Sequence, residues 1–99
     1  MTKIGIDAMG GDFAPFEAIK GASLSKQKFP DIDFCLYGDK AIIEETADKE
    51  GISLDGLHIV HCSEVIEMGE HPVKAMASKR DSSIFKGFTD LAQGGISAF

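Results

Sequence analysis

The feature that most constrains this chain is the order in which apolar runs of two different periods follow one another. Lys3 to Asp7 is a short apolar segment with a charged end, and Pro15 opens a helix-compatible stretch to about Lys28 in which Phe16, Ile19 and Ala22 recur at helical spacing. Pro30 cannot continue that helix, and Ile32 to Tyr37 supplies a second strand-like run. Asp39 is placed to cap a helix from Lys40 to about Glu50, which carries Ile42, Ile43, Thr46 and Ala47 on one face and ends at Gly51. Leu57 to Cys62 is a third strand. A β-α-β-α-β order with such short connections predicts an α/β domain built on a mainly parallel sheet.

Beyond residue 62 the pattern loosens. Ser63 to Arg80 is the least regular segment, with a helical piece expected from Pro72 through Met76. Asp81 or Ser82 then caps a helix whose apolar residues Ile84, Phe85, Phe88, Leu91 and Ala92 show the strongest periodicity in the chain, and Gly94-Gly95 ends it. Ile96 to Phe99 begins a fourth strand whose crossover helix and partners are expected further on, so the 99 residues are expected to be a truncated part of one larger domain with no internal boundary. Neither an internal repeat nor a linker is evident.

Charge and cysteine usage narrow the setting. Sixteen acids against ten Lys and Arg give a net charge of −6, which disfavours non-specific binding to nucleic acid or an anionic membrane. Cys35 and Cys62 each lie in an apolar run, and without a secretion signal they suit a reducing, cytoplasmic setting better than a disulfide framework. No apolar run approaches the roughly 18 residues that would mark a membrane span.

In an open α/β sheet, ligands collect where the first strand ends and the next helix begins, and there the chain places Asp7-Ala8-Met9-Gly10-Gly11-Asp12. Gly5 and Gly10 fit the glycines of the phosphate-loop template, but Gly11 stands where Lys is needed and Asp12 where Ser or Thr would hold magnesium. The dinucleotide fingerprint is absent from this turn as well. Gly10 and Gly11 therefore either bind an anion through backbone N–H groups or only permit a tight turn. Asp7 and Asp12 are candidates for acid/base work or for organising the loop by accepting N–H bonds. Lys79, Arg80, Ser82 and Ser83 place two cations and two hydroxyls at a helix start, a combination suited to phosphate, with plain capping as the alternative.

Other constellations are weaker. His58, His61, Cys62, Glu64 and Glu67 suggest metal ligands, but the first three do not share one strand face, so neither a metal nor a thiol nucleophile is expected. His71, before Pro72, is free to face a cleft or lie in a surface loop. Lys20, Lys26 and Lys28 make a basic stretch that suits a solvated helix face.

The run Asp7 to Asp12 with Ala14-Pro15, then Tyr37-Gly38-Asp39, Ile59 to Met68, Pro72, Lys79 and Asp81-Ser82-Ser83-Ile84, resembles the bacterial phosphate acyltransferases of phospholipid synthesis over essentially the whole chain. Members of that family are several times longer, and Gly95 to Phe99 is where they continue into a Ser-Ala-Gly-Asn-Thr-Gly motif. Gly69 and Ala77 depart from the family's commonest pattern, which has an acid and an Arg there. The resemblance implies a three-layer α/β/α sheet like that of isocitrate and isopropylmalate dehydrogenases. It implies transfer of a fatty acyl group from acyl carrier protein to inorganic phosphate, by a homodimer associated peripherally with the cytoplasmic membrane and without metal, nucleotide or other cofactor. This piece by itself is expected to be inactive. Acyl carrier protein is acidic, so its docking calls for a local basic patch, Lys20 to Lys28 or the remaining part of the protein. The alternative is a non-catalytic α/β anion-binding or interaction module complete at 99 residues, and a dehydrogenase of the related fold is a third reading.

Overall fold

The computed structural model describes residues 2–10, 14–64, 73–74 and 78–99. Its elements are β1 (Lys3–Asp7), α1 (Phe16–Lys28), β2 (Asp33–Gly38), α2 (Lys40–Glu50), β3 (Leu57–His61) and α3 (Ser83–Ala92). The three strands pair in parallel in the order β1-β2-β3, with Ile4 opposite Phe34 and Leu36 opposite Ile59. β2 lies between the other two and is buried from Phe34 to Gly38, which is why its sequence is a near-continuous apolar run rather than an alternation.

Successive residues of β2 serve opposite faces of the sheet. On one face Leu36 packs with Ile19 and Ala22 of α1 and Ile43 and Ala47 of α2. On the other, Cys35 and Tyr37 pack with Cys62 and Ile96, against Leu91 of α3 and Phe99. The helices thus form two layers around the strands. Burial of Ile19, Leu36 and Ile43, all removed from solvent, contributes about 1.5–3 kcal/mol each.

Local signals explain the element ends. Asp39 Oδ1 accepts from the N–H groups of Ala41 at 3.0 Å and Ile42 at 3.3 Å, and Gly51 closes α2 at a φ of +68°, which a glycine adopts without strain. Pro15 occupies the cap position of α1 rather than its first turn. Cys62 falls just outside β3, although its N–H still reaches the Gly38 carbonyl at 2.9 Å.

Residues 96–99 begin to pair with β1 as expected, and α3 buries residues outside its apolar stripe. The fourth strand is, among the described residues, a single parallel bridge between Ala98 and Ile4, with Gly5 N–H donating to the Ala98 carbonyl at 2.8 Å and Ser97 N–H to that of Lys3 at 2.7 Å. The apolar stripe of α3 is not its most buried face. Phe88 is 49% exposed while Ser83 and Gly87 are buried, because α3 approaches closely enough that Phe99 packs directly on Gly87.

Candidate functional site

The segment 97–98 pairs with β1 on the side away from β2, so neighbours reached through opposite helical layers flank β1. This reversal of strand order makes the carboxyl end of β1 the position where an open α/β sheet presents a crevice. Asp7 is the last residue of β1, and Ala8, Met9 and Gly10 turn away from it.

Asp7 organises that turn. Its Oδ1 accepts from the Met9 N–H at 3.0 Å and from the Ser83 hydroxyl at 2.5 Å. The first bond is the local carboxylate-to-backbone bond expected of an Asp beside a turn; the second joins the end of β1 to the first residue of α3. Its other oxygen, Oδ2, faces Gly10, where a Cβ would come within 2.9 Å of it. Ala8 N–H donates to the Tyr37 carbonyl at 2.9 Å, and Met9 lies against Gly38, where a Cβ would meet its Cγ at 2.8 Å. Glycine at 10 and 38 thus lets the turn lie close to both Asp7 and β2.

Ser82 and Ser83 divide their work. Ser82 caps α3, its hydroxyl accepting from Phe85 N–H at 3.2 Å, whereas Ser83 spends its single hydroxyl proton on Asp7. Both are buried. Lys79 contributes its carbonyl to Ser82 N–H at 3.1 Å; its side chain is half-buried and that of Arg80 is exposed. The structure therefore brings together Asp7, Gly10 and Ser83, with Ser82 beside them and Lys79 and Arg80 in the turn leading into α3. Gly11, Asp12 and His71 lie outside the described residues, as does the helical piece expected from Pro72 through Met76, apart from Val73 and Lys74.

A clasp that the sequence did not reveal holds this turn against the end of β3. Asp81 accepts from the N–H of Ser63 at 2.8 Å and from the Ser63 hydroxyl, and pairs with Lys86 at 2.6 Å. Glu64 Oε1 accepts from Asp81 N–H at 3.1 Å, and Lys86 also donates to the His61 carbonyl at 2.7 Å. Lys86 and the two Ser63 donors hold the Asp81 carboxyl well below the usual carboxylate range, and Asp81 pushes the Lys86 pKa up. These partners are far apart in sequence, so no local spacing signals them.

Several other polar residues singled out by the sequence make local contacts. His61 Nδ1 accepts from the Lys40 N–H at 3.1 Å, at the start of α2. Cys62 is fully buried, and burial pushes its thiol up to about 11. Lys26 donates to the carbonyls of Pro30 and Ile32, both at 3.0 Å, bracing the end of α1. Lys20 and Lys28 stand over the rings of Phe16 and Phe29. No helix among the described residues is long and apolar enough to cross a membrane, and they hold no cluster of three or more potential metal ligands.

With this geometry in place, the family model described as fatty acid synthesis protein matches residues 2–99. The chain is 46% identical over 97 residues to a phosphate acyltransferase of Caldicellulosiruptor bescii, covering 98% of this chain and 29% of that protein. It is 44% identical over 92 residues to one of Lactococcus lactis subsp. lactis, covering 93% and 27% respectively. A phosphate acyltransferase of Oenococcus oeni is 46% identical over 92 residues, covering 93% and 26%. The chain thus spans less than a third of the length of the curated relatives it matches.

Proposed function

This chain belongs to the fatty acid synthesis protein family, and from that premise we propose that the whole protein is a phosphate acyltransferase taking a fatty acyl group from acyl carrier protein to inorganic phosphate. The product is an acyl phosphate for phospholipid synthesis. The working form is a cytoplasmic homodimer that associates peripherally with the membrane, and residues 2–99 supply part of its anion site without being active alone.

The chemistry asks little beyond placement. Phosphate is already a nucleophile near neutral pH and a thiolate is a good leaving group, so the protein must hold the anion against the thioester carbonyl and stabilise the oxyanion that forms. One observation carries the proposal: the hydrogen bond from Ser83 to Asp7 fastens the start of α3 to the turn after β1. Backbone N–H groups of Gly10 and Gly11, those at the start of α3, and the cations Lys79 and Arg80 then grip phosphate, with the Ser82 hydroxyl as a further candidate. Ser83, whose proton is committed, positions Asp7. Asp12 and His71 are the further acid/base candidates.

The test is acyl-phosphate formation by the full-length protein from an acyl carrier protein thioester, trapped with hydroxylamine. Phosphate-dependent product without added metal or nucleotide is expected. Thioester turnover that does not respond to phosphate would overturn the reading.

A further inference from the structure

The solvent side of α1 carries a ridge that its own packing does not account for. Lys20, Leu24 and Lys28 follow one another at four-residue spacing, so they share one face with about 6 Å of axial rise between neighbours. Leu24 is 56% exposed, and Phe29 at the C-terminal end of the helix is 48% exposed. Lys26 is drawn inward to the Pro30 and Ile32 carbonyls and to Asp33. Lys20 and Lys28 are not: among the described residues their charges meet the rings of Phe16 and Phe29, at 5.8 and 5.7 Å from the centroids, and no carboxylate. Glu17 stands one turn before Lys20 and not between the two lysines. In a chain of net charge −6 the ridge is basic ground beside uncovered apolar surface.

Gly21 lies on the same exposed side, between Lys20 and Leu24, in the interior of a helix that glycine weakens. Gly87 makes room for Phe99, but a Cβ at Gly21 would meet nothing within 4 Å, so none of the described residues requires glycine there. Bare backbone at this position lets another element approach α1 more closely than a side chain would. Because β1 and β2 are parallel, α1 begins at the carboxyl end of the sheet, and the ridge leads up to the proposed crevice. α2 packs on the same face of the sheet and carries Glu44, Glu45, Asp48 and Glu50 against Lys40 and Lys49. A flat anionic membrane laid on α1 would meet those acids as well, whereas a compact acidic protein can dock on the α1 ridge alone.

We propose that this ridge, with Gly21 as its point of closest approach, is the docking surface for the acidic acyl carrier protein, which sets acidic side chains against Lys20 and Lys28 and apolar surface against Leu24 and Phe29. The inference rests on the carrier-dependent reaction proposed above and adds to it where the carrier is held.

Initial rates of acyl-phosphate formation by the full-length protein, with the carrier thioester and phosphate varied in turn, test it. Lys20→Glu with Lys28→Glu is expected to raise the KM for the carrier thioester at least about tenfold, the consequence of reversing two steering charges. The kcat and the KM for phosphate should stay within about twofold, because the ridge touches neither reacting group. Gly21→Leu is a second variant, which meets no clash within the described residues. It is expected to keep or raise the thermal midpoint, and to raise the carrier KM at least about fivefold by overfilling the contact. A carrier KM unmoved in either folded variant overturns the inference and leaves the reaction standing. A lowered thermal midpoint in Gly21→Leu overturns it in favour of packing within the chain, and a changed sedimentation coefficient in either variant in favour of a second copy. Lost binding to phosphatidylglycerol vesicles with the carrier KM intact overturns it in favour of a membrane. A full-length protein that neither binds nor turns over the carrier thioester overturns the reaction together with the docking surface, which separates the two failures.

Discussion

The Tyr37 hydroxyl, on the central strand, donates a 2.6 Å hydrogen bond to Asp90 Oδ2 in the third turn of α3. Tyr37 is 1% exposed, and burial followed by the Asp90 hydrogen bond drives its pKa far upward, so the phenol stays protonated and remains the donor. Tyr37→Phe keeps the ring and its edge-on contact with Phe99 but leaves the Asp90 carboxylate one partner short. A loss of about 1.5–3 kcal/mol is expected, the range for a hydrogen bond to a charged group. Thermal unfolding of the full-length variant checks it, and an unchanged midpoint would show that water replaces the bond at no cost.

Gly87 lies under the Phe99 ring, and a Cβ there would overlap it. Alanine in place of glycine normally gains about 1 kcal/mol in a helix. Here the gain is outweighed, because Phe99 must leave its contacts with Tyr37 and Phe88, and a net loss of about 2 kcal/mol is expected. Adding Phe99→Leu to Gly87→Ala should recover part of that loss. If the two losses simply add, the glycine is not making room for the ring.

Acid stability should depend on Asp81. Its folded pKa is depressed by Lys86 first and the Ser63 donors next, so its contribution is fully present above the ordinary carboxylate range and is lost as pH falls through and below about 4. Lys86 has the opposite sign, with a folded pKa raised mainly by Asp81, and its contribution disappears only at strongly alkaline pH. Asp81→Asn should flatten the acid limb of a stability-against-pH curve without changing its slope near neutrality. The effect is modest because the pair is solvent-facing. An acid limb identical in both proteins would remove the clasp from the account.

Lys79 and Arg80 enter the proposed phosphate grip as the cations preceding α3. Changing both to Ala in the full-length protein should raise the KM for phosphate about tenfold or more, the expectation for losing two charge-assisted contacts, with a smaller effect on kcat. Initial rates against phosphate concentration decide it. An unaltered phosphate dependence places both residues outside the site.

Sequence reasoning succeeded wherever a signal is local. Asp39 and Gly51 bound α2 because capping and left-handed turns act within a few residues. Asp7 organises its own turn through Met9, two positions away, for the same reason. Its partner Ser83 is 76 residues distant and the clasp from Ser63 to Asp81 spans 18, and no periodicity reports such bonds. In α3 periodicity reports side-chain hydrophobicity, so it carries no sign that Gly87, which has no side chain, lies against the Phe99 ring. Phe88, in the apolar stripe, is 49% exposed and meets the Phe99 ring edge-on.

Cys62 sits in the core at the end of β3, near enough to the switch point to invite a role as an acyl-carrying nucleophile. Burial argues against it. With its pKa at about 11, on the order of one thiol in a thousand is ionised at pH 8, and only the thiolate attacks a thioester. Iodoacetamide should modify Cys62 in the folded full-length protein about two orders of magnitude more slowly than in the unfolded chain, measured by mass spectrometry of quenched samples. Cys62→Ala should cost roughly 1 kcal/mol or more of stability through the cavity it leaves, yet retain phosphate-dependent acyl transfer. Direct attack by phosphate needs no enzyme thiol. A folded Cys62→Ala protein that had lost turnover, together with rapid alkylation of the native thiol, would instead require a covalent acyl intermediate and a structure open enough at β3 to admit it.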